Sequence, residues 1–357
     1  MIYHHCFYCC AIFLLVACNT QMHDNKAFVS PVFPESKQVT VIPFPDDFLL
    51  GGSFLMEDMG EFIVIGTKHD NKFLHIFDKE TLVHTKSFGT FGQGPGELIG
   101  APKIRVNEDN SVLYLFQHYS GMNDYWVYDV EHLLHDNAVL PARKAKIELF
   151  RDEEAQYPGY ANDFLAWKDK RLFAGSRMHR LEVQDTLGNT LYLYDKYPTV
   201  ILSDTTAFQS TYSHSSLALK PDMSRFVIAS RVGCIMEIFT IDTSGKIVKE
   251  IEKRFHPPIF AVNRRMVELS NGKTIIGITD LSVTDELIYA VYNGNAYTLE
   301  AGDFSKKIAV FDWSGNPKLI YILDWKIYDF LVDTQRSRCY LVGIDPNDEV
   351  LLGYFEL

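Results

Sequence analysis

The chain has 357 residues, 47% of them hydrophobic and 22% charged, a balance that permits a sizeable core and excludes a disordered or fibrous protein. Its 34 Lys and Arg against 46 Asp and Glu leave a formal charge of −12, so no basic excess exists to neutralise phosphates, and nucleic acid is not an expected partner. Aromatic residues reach 13%, which suits strands, where rings and β-branched side chains fit a pleated surface.

Residues 11–17, AIFLLVA, form an apolar run too short for a spanning helix, which needs about 20 residues. The run ends in Leu15-Val16-Ala17-Cys18, which resembles the bacterial lipobox, although residues 1–10 lack the usual positive charge. The resemblance implies cleavage before Cys18, lipid on its thiol and acylation of the new amine. Several acyl chains would hold the chain stably on a membrane, where one would be marginal. The other reading is a buried strand ending in a structural cysteine. Residues 19–37 are polar with Pro31 and Pro34, and read as a mobile tether between lipid and domain.

A repeat follows. A short strand-like element recurs as FIVIG (62–66), VLYLF (112–116), RLFAG (171–175), RFVIA (225–229), LIYAV (287–291) and RCYLV (338–342). A second element, apolar-x-apolar and then Asp, ends at Asp78, Asp129, Asp195, Asp242 and Asp312, and a last copy, VLLGYFEL, ends the chain. Asp suits turns because its carboxylate accepts from nearby backbone N–H groups, so these residues read as structural. Each unit is expected to form four antiparallel strands, lettered a (inner) to d (outer). The first is expected at 48–56, 61–66, 72–78 and 82–88. A single helical turn is expected over Glu131 to Asp136. The sixth copy lacks an outer strand, and the strand-like residues 38–44, QVTVIPF, are expected to supply it and close the ring.

Between the first two units lies Phe88 to Gly100, FGTFGQGPGELIG, a glycine-dense turn whose Pro95 pushes Gly94 towards an extended state. It resembles the G-x-G-P-G-E-[FL] turn of TolB-like and NHL-like six-bladed β-propeller lipoproteins. The expected fold is therefore all-β, a six-bladed β-propeller of four-stranded antiparallel blades closed by an N-terminal strand. The expected segments are a lipoprotein signal peptide over 1–17, a lipid-anchored tether over 18–37 and the propeller over 38–357. Cys234 and Cys339 fall two blades apart, beyond disulfide reach, and should be buried free thiols.

Three sets of residues surround the expected channel mouth. Asp47, Asp163, Asp280 and Asp329 each precede an apolar residue where an inner strand should begin. As a ring they would suit Ca²⁺, which prefers oxygen ligands, or serve a metal-dependent lactonase of the related hydrolases. Equally, each could accept hydrogen bonds from neighbouring backbone. Lys68, His118, Arg177, Arg231 and Tyr292 follow the second strands of five units and could gather an anionic ligand, or be scattered surface charge. The long insertions 141–161 and 253–272 have the length of functional loops. No G-x-S-x-G, P-loop or H-E-x-x-H motif occurs. The resulting expectation is a monomeric, lipid-anchored module of the bacterial cell envelope, on the outer membrane, that binds a ligand at the channel mouth in preference to acting as an enzyme. Its partners would be the membrane, an envelope protein, a glycan or a peptide. The alternatives are a hydrolase or lyase using the Asp ring, and an accessory to glycan or peptide uptake.

Overall fold

Alternating apolar residues within each repeat build antiparallel sheets, because side chains two apart share a face and one face must be buried. The structure, a computed structural model, describes residues 27–45, 48, 50–52, 54–94, 97–100, 103–107, 109–119, 122–136, 140–146, 163–174, 179–198, 215–263, 266–300 and 304–357. The lipobox-like run and Cys18 lie outside these residues.

Blade one comprises Leu55–Met59, Phe62–His69, Lys72–Asp78 and His84–Thr90. Blade two comprises Lys103–Val106, Val112–Tyr119, Met122–Asp129 and Arg143–Lys146. Blade three comprises Asp163–Trp167, Lys170–Ala174, Leu181–Asp185 and Thr190–Tyr194. Blade four comprises Ser215–Leu219, Arg225–Ser230, Cys234–Ile241 and Ile247–His256. Blades five and six share one sheet. Ile278–Val283, Leu287–Tyr292 and Ser305–Asp312 lead into a single long run, Pro317–Asp333, which turns from the outer place of blade five to the inner place of blade six. The turn shows in the register, where Lys307 faces Ile322 but Ser305 faces Ile327. Trp325 is buried at this corner. Arg338–Ile344 and Val350–Glu356 continue blade six.

Each inner strand touches the next around the axis, and the strand of blade six returns to that of blade one. The core lies between blades. One cluster joins Val64, Leu74 and Ile76 of blade one to Ile104, Leu113 and Trp126 of blade two, and another joins Leu172 and Val183 to Phe226 and Phe239. Each fully buried side chain of this kind is worth about 1.5–3 kcal/mol, so blade-to-blade packing carries the fold. Cys234 and Cys339 are free and buried in different blades.

The expected turns form. Asp78 accepts from the Glu80 and Thr81 amides, Asp242 from Ser244 and Lys246, and Asp312 from Ser314 and Asn316. Asp129 caps the helix Val130–His135 by accepting from His132 N. In the glycine turn the Gly94 amide donates to Glu97 Oε2 at 2.7 Å, and a Cβ on Gly92 would stand 2.0 Å from the same oxygen. The turn signature is thus a carboxylate folded back onto backbone that only glycine leaves open.

Three expectations shift. In blade three the run ending at Asp195 is the outer strand. The third strand is Leu181–Asp185, whose Glu182 and Gln184 are buried and bonded to each other, a polar pattern that hides it from an apolar template. In blade one the inner strand begins at Leu55 rather than near Phe48. Phe48 instead packs among His69, His75 and His84. Finally, the N-terminal segment is docked well before residue 38. Val29 N donates to Arg254 O of blade four, Phe33 packs on Phe311, and Ser36–Val39 runs parallel to Ile320–Leu323 of blade five. Ile42–Pro43 then pairs with Gly353 and Tyr354 and supplies the outer strand of blade six, closing the ring.

Candidate functional site

Inner strands of a propeller have no ladder partner on the axis, so side chains must satisfy their inward backbone groups. Asp280 Oδ2 accepts from Phe330 N at 3.3 Å, Ser282 Oγ accepts from Val332 N at 3.0 Å, and Ser216 Oγ donates to Thr279 O at 2.9 Å. The widest such span belongs to Arg105 of blade two. Its Nη1 pairs with Glu57 of blade one, and its Nη2 with both oxygens of Asp163 of blade three at 2.8 and 2.9 Å. Its Nε donates to Phe164 O at 3.0 Å. One guanidinium thereby joins three blades, using the planar fork that lysine lacks.

These residues line a cavity of about 930 Å³ along the axis. That volume is near the upper end of small-molecule sites, which run to about 1,000 Å³. At the mouth, where inner strands begin, Asp280 and Asp329 are hydrogen-bonded to each other. Burial raises the Asp280 carboxyl to about 6 and pushes Asp329 well up, and Lys103 pulls back on both. Asp329 is buried and Asp280 half-buried, and two carboxyls in contact resist double ionisation, so the pair holds a proton more tightly than either would alone. Burial also lifts Glu57 to about 7 against the pull of Arg105. At the other end Lys79, itself buried, donates to Asp58 at 2.8 Å and to Asp333 at 3.0 Å. Burial raises Asp333, but the Arg336 amide, Lys79 and the Arg336 guanidinium outweigh it and hold that carboxyl below its ordinary value.

The TolB-like 6-blade propeller-like family model matches residues 32–335. This chain belongs to the TolB-like six-bladed propeller family. Solved structures agree on the fold. A Bacteroides fragilis protein described as exported is 12% identical, covers 90% of this chain and 98% of its own, and has a TM-score of 0.55. A member of the DUF4221 family from Bacteroides vulgatus is 12% identical over 89% of this chain and 95% of its own, with a TM-score of 0.54. The β-propeller domain of Cps50 (Swd1) from Myceliophteria thermophila is 11% identical over 89% and 99%, with a TM-score of 0.53. No curated protein sequence matches the chain.

Within this TolB-like ring the expected site residues separate. Asp163 is bound by Arg105, while Asp280 and Asp329 bind each other. Asp47 lies outside the described residues. Among the described residues no three His, Cys, Asp or Glu side chains stand at metal-binding spacing, and the three described aspartates are bonded to Arg105 or to each other. Of the five cationic or aromatic candidates, Arg231 lines the cavity. Lys68 Nζ lies 4.4 Å from the Phe91 ring centre. Tyr292 is buried, its hydroxyl 2.8 Å from His256 Nε2 and its ring against Phe33. His118 sits in the strand Val112–Tyr119, with its side chain outside the described set, and Arg177 is outside it altogether. Sequence reasoning missed Glu57, Arg105 and Lys79. Their only signal was a charged residue inside a short strand or directly after one.

Proposed function

We propose that this TolB-like propeller is a lipid-anchored module of the bacterial cell envelope that binds a ligand at its channel mouth. The observation that carries the reading is the cavity of about 930 Å³ on the ring axis with Arg231 in its wall. The described carboxylates at its mouth are engaged by Arg105 and by each other, which favours a binding role over metal-assisted hydrolysis. The anchor rests on Leu15-Val16-Ala17-Cys18, and the exported Bacteroides fragilis neighbour is in keeping with that address. A ligand with an acidic group would meet Arg231 and Lys103, in charge-assisted bonds worth about 1.5–3 kcal/mol each where water is excluded. An array of glycans and peptides tests binding. Retained ligands that elute with salt and are lost in Arg231→Ala are expected, and an array that stays blank removes the reading. For the anchor, Cys18→Ala should stop labelled palmitate incorporation, and labelling that persists defeats it.

A further inference from the structure

The mouth also carries a row of aromatic rings that no charge argument uses. Phe54 directly precedes the inner strand of blade one, and Tyr328 directly precedes Asp329 in the inner strand of blade six. Phe304 directly precedes the third strand of blade five. All three positions belong to the face on which inner and third strands begin. Tyr328 lies between the other two rings, 4.7 Å from Phe54 at 47° and 5.0 Å from Phe304 at 82°. Phe54 and Tyr328 line the cavity, while Phe304 continues the row outward and is 41% exposed. The hydrogen-bonded Asp280–Asp329 pair lines the same cavity as Phe54 and Tyr328 and offers a donor and acceptors side by side.

That combination suits one chemistry well. A pyranose presents a flat face of C–H bonds that packs on an aromatic ring, and a rim of hydroxyls that both donate and accept. Apolar rings with a few convergent polar groups are the usual makeup of a small-ligand site. A cationic peptide side chain would also be drawn to rings and carboxyls. Lys103 already faces that pair, so a neutral hydroxyl is better received there than a second cation.

We propose that Phe304, Tyr328 and Phe54, with the Asp280–Asp329 pair of the same cavity, form a saccharide-binding subsite at the channel mouth. A sugar ring stacks on the aromatic row and its hydroxyls bond the carboxyl pair. The proposal rests on the reading of the mouth as a binding site and names its ligand class.

Calorimetry on the full mature chain tests it, with cellohexaose, xylohexaose, mannohexaose and hexagalacturonide as one set of probes and a hexapeptide set including hexalysine as the other. At least one saccharide should bind. Phe304→Ala should weaken that binding about tenfold, the equivalent of about 1.4 kcal/mol. Because Phe304 is partly exposed, the variant should melt like the wild type. Asp329→Ala, which removes one of the two groups proposed to meet the sugar hydroxyls, should weaken binding at least as much, and an unchanged affinity in that variant overturns the role of the pair. A saccharide that binds wild type and Phe304→Ala equally overturns the aromatic subsite but leaves the mouth a binding site. Peptide binding without saccharide binding overturns the ligand class alone. No binding by any probe at millimolar concentration overturns both the subsite and the reading beneath it.

Discussion

In the mouth half of the channel Arg105 faces Glu57 and Asp163, with Asp280 and Asp329 beyond. At the base Lys79 faces Asp58 and Asp333, with Arg336 alongside. Asp329 and Asp333 are four residues apart on one strand, about 13 Å at the usual rise. Both are buried, yet Asp329 holds its proton more tightly than a free carboxyl and Asp333 less tightly. Burial raises both, so depth does not explain the difference. What separates them is partners: Asp333 receives two cations and a backbone amide, while Asp329 receives another carboxyl. The same cation-and-carboxylate parts make a permanent brace at one end and a protonatable surface at the other.

The two ends should therefore give opposite pH slopes. A carboxyl raised in the folded state keeps its proton when the unfolded chain has lost it. Stability then falls as pH rises from about 4 through the raised value of Glu57, Asp280 and Asp329. A carboxyl lowered in the folded state gives stability that is present above about pH 4 and lost as pH falls through its folded value, which is the behaviour expected of Asp333.

The largest effect is expected at the base. Lys79→Met strips one cation from a buried carboxylate and should cost about 3–5 kcal/mol in denaturant melts, at neutral pH and at pH 6 alike. A loss that vanishes by pH 6 would show that the base titrates like the mouth. Arg105→Met should cost somewhat less, about 2–4 kcal/mol at pH 8. The loss should shrink towards pH 6, because Glu57 takes up a proton below about 7 and its charge then no longer needs the cation. Equal losses at both pH values would break the contrast. The smallest effect is Asp329→Asn. It should stabilise the chain at pH 8, do little near pH 5, and flatten the fall in melting temperature between them. An unchanged slope would move the proton storage elsewhere.

The blades were legible because each rests on local rules. Alternation marks strands, Asp marks the turns after Asp78, Asp242 and Asp312, and the glycine turn marks a blade crossover. Where a strand broke the apolar template the reading slipped, as at Leu181–Asp185, whose buried Glu182 and Gln184 are satisfied by partners that only folding supplies. The candidate site was less legible still. Asp163, Asp280 and Asp329 could be placed at the ring mouth from their position before inner strands. Nothing in their spacing says that one is taken by an arginine in blade two and that the others take each other.

The residues alone determined strand period, turn chemistry, the number of repeats and a strand-like segment over 38–44 available to close the ring. All of these depend on neighbours within about ten positions or on counting copies. Tertiary structure decided which charges meet. Arg105 finds Glu57 and Asp163 across 48 and 58 residues, and Lys79 finds Asp333 across 254. It also decided that the N-terminal segment straps blades four, five and six before closing the ring. The physical reason is that inner strands expose unpaired backbone and carboxylates to one narrow axis. Their protonation and their partners are set by what the other five blades bring there, and no local stretch of the chain encodes that.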